Sequence, residues 1–283
     1  MSVEDDILAY YARGGERTRF DNLQGRLEFL RTQQLLSRYL PPPPATILDV
    51  GGGPGHYASW LASAGYTVTL IEPVPNHVDE AARLAREEGL DIRAHLGDAR
   101  QLDATDATFD AVLELGPLYH LTEFADRVVA LTEAARVVKP GGPIVVAMIS
   151  RFAPLLDSLR LGFIDQSGML PAVEDDLRTG QHRNPGRHPA FFTTAYFHHP
   201  DEVALEFERA GIPLEALIGV EGPAWLFRDL EDHLGDAESR KRLLRAAEIV
   251  ERDPATIAFS AHLLAVGRSR GPKTIELREQ PSR

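Results

Sequence analysis

Ile47-Leu48-Asp49-Val50-Gly51-Gly52-Gly53-Pro54-Gly55 reads as a buried strand running into a glycine turn and the start of a helix. Glycine suits such a turn because a side chain would oppose positive φ angles and hold the backbone away from a ligand. The next apolar run ends in Glu72, a place where a carboxylate meets the two hydroxyls of a nucleoside ribose. Together these features point to a nucleoside-cofactor site.

Outward from that stretch the chain alternates strand and helix. The spacing predicts strands near 46–50, 66–71, 91–96, 109–114 and 144–148, with helices near 56–64, 75–88 and 122–138 between them. Such alternation implies an α/β fold, a doubly wound, mostly parallel sheet covered on both faces. In the helix near 122–138, Phe124, Val128, Leu131, Ala135 and Val138 are expected to form the inner stripe, and Lys139-Pro140-Gly141-Gly142 ends it.

The flanks divide the chain further. Residues 1–44 read as an N-terminal helical cap ended by Pro41 to Pro44, and 45–150 as the cofactor-binding core. In 151–200 the periodicity dissolves into a stretch rich in proline, glycine, arginine and histidine, too long for a simple loop and read as a substrate-side lid. Residues 201–268 return to the sheet, with a helix carrying Val203, Phe207 and Ala210, a strand near 214–220, a helix near 237–251 and a strand near 261–267. Residues 269–283 read as a disordered tail.

Composition narrows the chemistry. The chain has 283 residues, a formal charge of −12 and no cysteine, so disulfides and thiolate chemistry are excluded, and nucleic acid or an anionic membrane is a poor partner. No apolar run reaches the roughly 18 residues of a membrane span, and Met1 to Asp6 lacks the pattern of a secretion signal, so a cytoplasmic protein acting on a small molecule is expected. The four histidines between 182 and 199 lack the spacing of a helical metal pair, and no metal is expected there.

A dinucleotide fingerprint would place a third glycine at the sixth position of the turn, where this chain has His56, which argues against a nicotinamide oxidoreductase. The motifs instead resemble class I S-adenosylmethionine-dependent methyltransferases of the small-molecule type. Asp49, Gly51, Gly53 and Gly55 match their first motif, and the resemblance continues through Glu72, Gly97-Asp98-Ala99, Phe109-Asp110-Ala111-Val112 and Val137-Val138-Lys139-Pro140-Gly141-Gly142. It is specific across about 45–150, weaker across about 198–268, and not visible in the lid.

That resemblance implies a seven-stranded, Rossmann-like sheet with an antiparallel last strand, and S-adenosylmethionine as cofactor. It implies that Gly51 and Gly53 admit the methionine end of the cofactor, that Asp49 holds that end, and that Glu72 accepts from the ribose. Asp98 and Ala99 would meet the adenine, Leu115 would border the cofactor, and Tyr11 and Arg31 of the cap are candidates near its carboxylate. Tyr119 would wall the acceptor pocket and His120 is the first candidate base, because a neutral imidazole accepts a proton near pH 7. In the lid, Arg178, His182, Arg183, Arg187 and His188 form a basic cluster able to grip a substrate anion, with His182 and Arg183 as the named contacts. The expected reaction is methyl transfer to oxygen or nitrogen of a small molecule. A non-methylating enzyme such as a cyclase, or a non-catalytic cofactor-binding subunit, would share the same cofactor motifs.

Overall fold

A computed structural model of the chain describes residues 3–184 and 192–271. It begins with α1 (Val3–Tyr11), a 3-10 segment (Gly15–Asp21) and α2 (Leu23–Tyr39). The core follows as β1 (Thr46–Val50), α3 (His56–Ser63), β2 (Thr67–Glu72), α4 (Pro75–Glu88), β3 (Ile92–Leu96), β4 (Ala111–Glu114), α5 (Phe124–Val137) and β5 (Pro143–Ile149). The lid region holds α6 (Ala153–Leu161), α7 (Met169–Thr179), β6 (Gln181–His182) and β7 (Ala195–Tyr196). The chain then adds α8 (Pro200–Arg209), β8 (Leu214–Gly219), α9 (Leu230–Gly235), α10 (Ala237–Val250) and β9 (His262–Arg268).

Seven strands form one sheet in the order β3-β2-β1-β4-β5-β9-β8. The first five are parallel, and β9 runs antiparallel to both β5 and β8. The order reverses between β1 and β4, the switch point at whose carboxyl edge such sheets bind ligands. Because β9 is antiparallel, its first residue, His262, pairs with Ile149 at that same edge.

Alternation along the strands sorts the core. Leu48, Val112 and Ile144 pack on one face with Leu131 and Ala134 of α5 and Phe207 of α8. Their neighbours Ile47, Leu113 and Val145 pack on the other with Leu35 and Leu36 of α2 and Ala58 and Leu61 of α3. Burying each such aliphatic side chain stabilises the fold by about 1.5–3 kcal/mol.

Four expectations need correction. The cap is not one helix, because Gly14 adopts a left-handed φ of 79° and Asn22 caps α2 through its side chain to Gly25 N. The inner stripe of α5 is Arg127, Ala130, Leu131, Ala134 and Val137, leaving Phe124 41% exposed. That stripe is rotated from the apolar one because buried Arg127 is paired with Glu206 of α8. The lid carries two helices and a two-stranded sheet, and the tail reading fails at its start: Ser269 is buried, its N–H donating to Gly142 O. Arg187, His188 and residues 272–283 lie outside the described residues.

Candidate functional site

At the end of β1 the chain turns with Gly51 at φ 67° and Gly53 at φ 56°. A Cβ on Gly51 would lie 2.8 Å from Pro117, whereas one on Gly53 would project into open space beside the cavity. Gly51→Ala is therefore expected to cost about 1–2 kcal/mol in left-handed strain and to displace Pro117. Cofactor affinity should fall at least about tenfold, measured by titration with S-adenosylhomocysteine; undiminished affinity would show that this turn does not touch the ligand.

Glu72 closes the other side of the turn. Its Oε2 accepts from Gly53 N at 3.0 Å, and its Oε1 accepts from Val74 N at 3.1 Å, with His77 Nδ1 at 3.2 Å. A carboxylate offers about four acceptor positions, so at least one remains for a hydroxyl. Asp49 is fully buried and neither carboxyl oxygen has a hydrogen-bond partner among the described residues. Burial, and secondarily the Glu72 charge, pushes Asp49 up to about 7. Such an unpartnered acid beside a glycine turn is a site prepared for a cationic or hydrogen-bonding group.

These residues border a cavity of about 360 Å³ that also takes in Asp98, Ala99, Leu115, Tyr119 and His120. Asp98 faces the cavity while Arg100 holds its carboxylate at 2.5 Å and lowers its pKa. Tyr11, the last residue of α1, donates its hydroxyl to His120 Nε2 at 2.6 Å, while His120 Nδ1 lies 3.3 Å from Thr194 O. A carbonyl only accepts, so Nδ1 carries the proton and Nε2 takes the Tyr11 hydroxyl. Both ring nitrogens are thus engaged, and burial pushes His120 down to about 4. The expected base is therefore a neutral wall residue that holds Tyr11 in place.

A second cavity, about 770 Å³, adjoins the first. Tyr11, Glu16, Arg19 and Tyr119 border both. His182 lines the larger cavity, but Arg183 does not. Arg31 is also corrected: it lines neither cavity, and is buried with Nε donating to Val220 O and Nη2 to Glu251. Arg19, which donates to Glu28 at 2.6 Å, is the cap arginine that reaches the site. Sequence reasoning missed Arg19, Glu16, Glu28, Glu221 and His262 as site residues. Glu28 stood beside the chosen Arg31, but no local pattern marked the others.

Buried acids also set the response to pH. Burial pushes Glu114, at the end of β4, up to about 8. Asp49 and Glu114 keep protons in the folded state that the unfolded chain releases near pH 4. At these two acids the folded state binds more protons, so their contribution to stability falls as pH rises from about 4 to 8 and outweighs the opposite, smaller contribution of His120 below about 6.5. Urea unfolding at pH 5 and pH 8 should show the lower stability at pH 8, and Asp49→Asn with Glu114→Gln should shrink the difference. An equal or greater stability at pH 8 would contradict this assignment.

The sheet order and glycine turn, with a carboxylate closing the second strand, define a Rossmann-like core of the type that holds S-adenosylmethionine. Residues 47–142 match the family model described as a methyltransferase domain. The chain is 34% identical over 145 residues to the ubiquinone biosynthesis O-methyltransferase of Caulobacter vibrioides, covering 48% of this chain and 56% of that protein. It thus spans about half the length of the curated relatives it matches. Among solved structures, an S-adenosylmethionine-dependent methyltransferase from Methanosarcina mazei superposes with a TM-score of 0.57 at 18% identity, covering 84% of this chain and 98% of that one. The [4+2]-cyclase SpnF superposes at 0.55 and 20% identity, covering 87% and 82%. Residues 47–142 of this chain are a methyltransferase domain. No helix among the described residues is long and apolar enough to cross a membrane.

Proposed function

We propose that the protein transfers a methyl group from S-adenosylmethionine to oxygen or nitrogen of a small molecule in the larger cavity. The carrying observation is that the cofactor-type cavity shares Tyr11, Glu16, Arg19 and Tyr119 with a second, neighbouring space of about 770 Å³. A purely regulatory cofactor-binding subunit would need no such room beside the reacting group. The unpartnered Asp49, the open space at Gly53 and the acceptor position left on Glu72 fit the cofactor's amino, backbone and ribose groups in turn.

In this reading Asp49, Gly51 and Gly53 hold the methionine end, Glu72 the ribose, and Asp98, Ala99 and Leu115 border the adenine side. The bound cofactor supplies a methyl group already activated by its sulfonium. What the chain must add is alignment of the acceptor and exclusion of water, the proximity term of catalysis. Tyr119 is 2% exposed and Tyr11 is held by His120, so two rigid aromatic walls stand at the junction. His182 borders the acceptor space through its bond to Asp176 at 2.8 Å.

The reading is tested by incubating the protein with methyl-labelled S-adenosylmethionine and a panel of hydroxylated and aminated small molecules. The expected result is label in an acceptor with one S-adenosylhomocysteine released per transfer. Conversion of a panel member without S-adenosylhomocysteine would contradict methyl transfer and identify a cyclase-like use of the cofactor.

A further inference from the structure

We propose that His262, oriented by Glu221, is the proton acceptor for a bulky, mostly apolar alcohol or phenol bound in the larger cavity. The proposal rests on the methyl-transfer reading and names its base and substrate class.

His262 opens β9 at the carboxyl edge of the sheet and lines the larger cavity. Its Nδ1 lies 2.6 Å from Glu221 Oε1. Glu221 is 1% exposed, and its Oε2 accepts from Ser260 Oγ at 2.8 Å and from His262 N at 3.1 Å. Burial alone would raise the Glu221 pKa, but the His262 ring and these bonds outweigh it and hold the carboxylate ionised. An ionised carboxylate only accepts, so in the neutral ring the proton sits on Nδ1 and Nε2 carries the lone pair. Nε2 has no hydrogen-bond partner among the described residues.

The other histidine of this cavity is differently placed. His182 is bonded at both nitrogens, to Asp176 Oδ2 at 2.8 Å and Phe192 O at 3.3 Å. His120, at the junction, is bonded at both nitrogens as well. Among the described residues, His262 is thus the imidazole on the acceptor side with an acceptor lone pair to give.

The cavity selects the substrate class. Phe163, Met169, Val173, Phe197 and Trp225 supply an apolar lining, and its volume of about 770 Å³ suits a molecule much larger than a simple metabolite. Glu16, Glu28, Asp157, Asp176 and Glu221 on its walls outnumber Arg13, Arg19 and Arg160, and this acidic balance opposes an anionic acceptor. A neutral amine can attack through its own lone pair and lose its proton afterwards, whereas a hydroxyl needs the proton removed as the bond forms. In the balanced step, the acceptor O–H breaks and its proton goes to Nε2. The new O–C bond forms as the C–S bond breaks, with sulfur keeping the electron pair of S-adenosylhomocysteine.

The charged groups facing the ring are Glu221, Glu28 of α2 with an oxygen 3.9 Å from Nδ1, and Arg19, which is paired with Glu28. Burial alone would lower the His262 pKa, but Glu28 and Glu221 overcome it and raise the value above that of an ordinary histidine. Base function should therefore grow as pH rises through a midpoint above about 6.5.

The test uses the full chain, labelled with ¹⁵N-histidine and saturated with S-adenosylhomocysteine. The probes are 4-pentylphenol and its methyl ether, 4-pentylanisole, which has the same apolar body and no proton to give. The phenol should move the His262 Nε2 resonance and the ether should not. By calorimetry the phenol should bind ~10-fold tighter than the ether, with the ratio falling to about one in His262→Gln. Glu221→Gln, a change at a positioning residue, should lower the His262 titration midpoint while leaving S-adenosylhomocysteine affinity unchanged. No movement with the phenol, equal movement with both probes, or a shift of the resonance on adding Mg²⁺ or Zn²⁺ alone would overturn the proposal. Loss of S-adenosylhomocysteine binding by the unsubstituted chain would instead sink the methyl-transfer reading.

Discussion

Arg127→Ala is expected to destabilise the protein by about 3–5 kcal/mol, the cost of leaving one partner of a buried ion pair behind. Arg127 of α5 is 2% exposed, and its Nε donates to Glu206 Oε1 at 2.7 Å. Its Nη1 also donates to Leu121 O and Thr122 O, at 2.9 and 3.0 Å, and the guanidinium lies 3.7 Å from the Tyr196 ring centre. Removing it leaves Glu206, 1% exposed, with only His198 Nε2, among the described residues, at 3.3 Å from its Oε2, and frees the loop that follows Tyr119 and His120. Against a total stability of about 5–15 kcal/mol the loss is a large fraction. Arg127→Lys should recover only part, because an ammonium cannot reproduce the planar fork. Urea unfolding measures both variants; a loss below about 1 kcal/mol for the alanine variant would show that the pair contributes no more than a surface one.

Glu72→Ala is expected to weaken cofactor binding by at least about 1.5 kcal/mol, the scale of one charge-assisted hydrogen bond. The carboxylate has two duties. It would receive the ribose hydroxyls, and it already receives the N–H groups of Gly53 and Val74, which set the turn around the ligand. Glu72→Gln keeps one carbonyl oxygen and loses the charge, so its affinity should fall between those of the parent and the alanine variant. Calorimetry with S-adenosylhomocysteine on folded variants decides it, and unchanged affinity in Glu72→Ala would remove the ribose role.

The parts of the fold that were legible in the sequence are those governed by local chemistry. The span of α4 was read without error, because Pro75 occupies its first turn and Gly89 ends it at a left-handed φ of 65°. The strands came within two residues of their observed ends, bounded by glycine, proline and aspartate. The inner stripe of α5 was misplaced because a charged residue sits within it. The charge of buried Arg127 is balanced by the distant Glu206, and no local pattern reveals such a partner.

The lid helices and the acceptor side were hidden from the sequence for related reasons. Helix α6 has nine residues and α7 eleven, each ended by a left-handed glycine, Gly162 and Gly180. Those glycines and the early prolines are helix punctuation that was read as loop composition. In the cap, Arg31, which the resemblance puts near the cofactor's carboxylate, is spent on Val220 O and Glu251. Arg19 reaches the cavities from a 3-10 segment with no helical period to mark it. His262 looks like an ordinary strand residue until β9 sets it beside Glu221, some forty positions earlier in the chain. The motif glycines and carboxylates border one cavity because each closes a neighbouring parallel strand, a placement that local sequence order already carries. The acceptor side depends on contacts between distant segments.

The most direct test of the account is calorimetric titration of the purified chain with S-adenosylhomocysteine, with NADH as the control ligand. The account predicts binding of S-adenosylhomocysteine in the micromolar range and no binding of NADH. Absence of S-adenosylhomocysteine binding, or equal binding of NADH, would contradict the assignment of the Asp49, Gly53 and Glu72 cavity to S-adenosylmethionine.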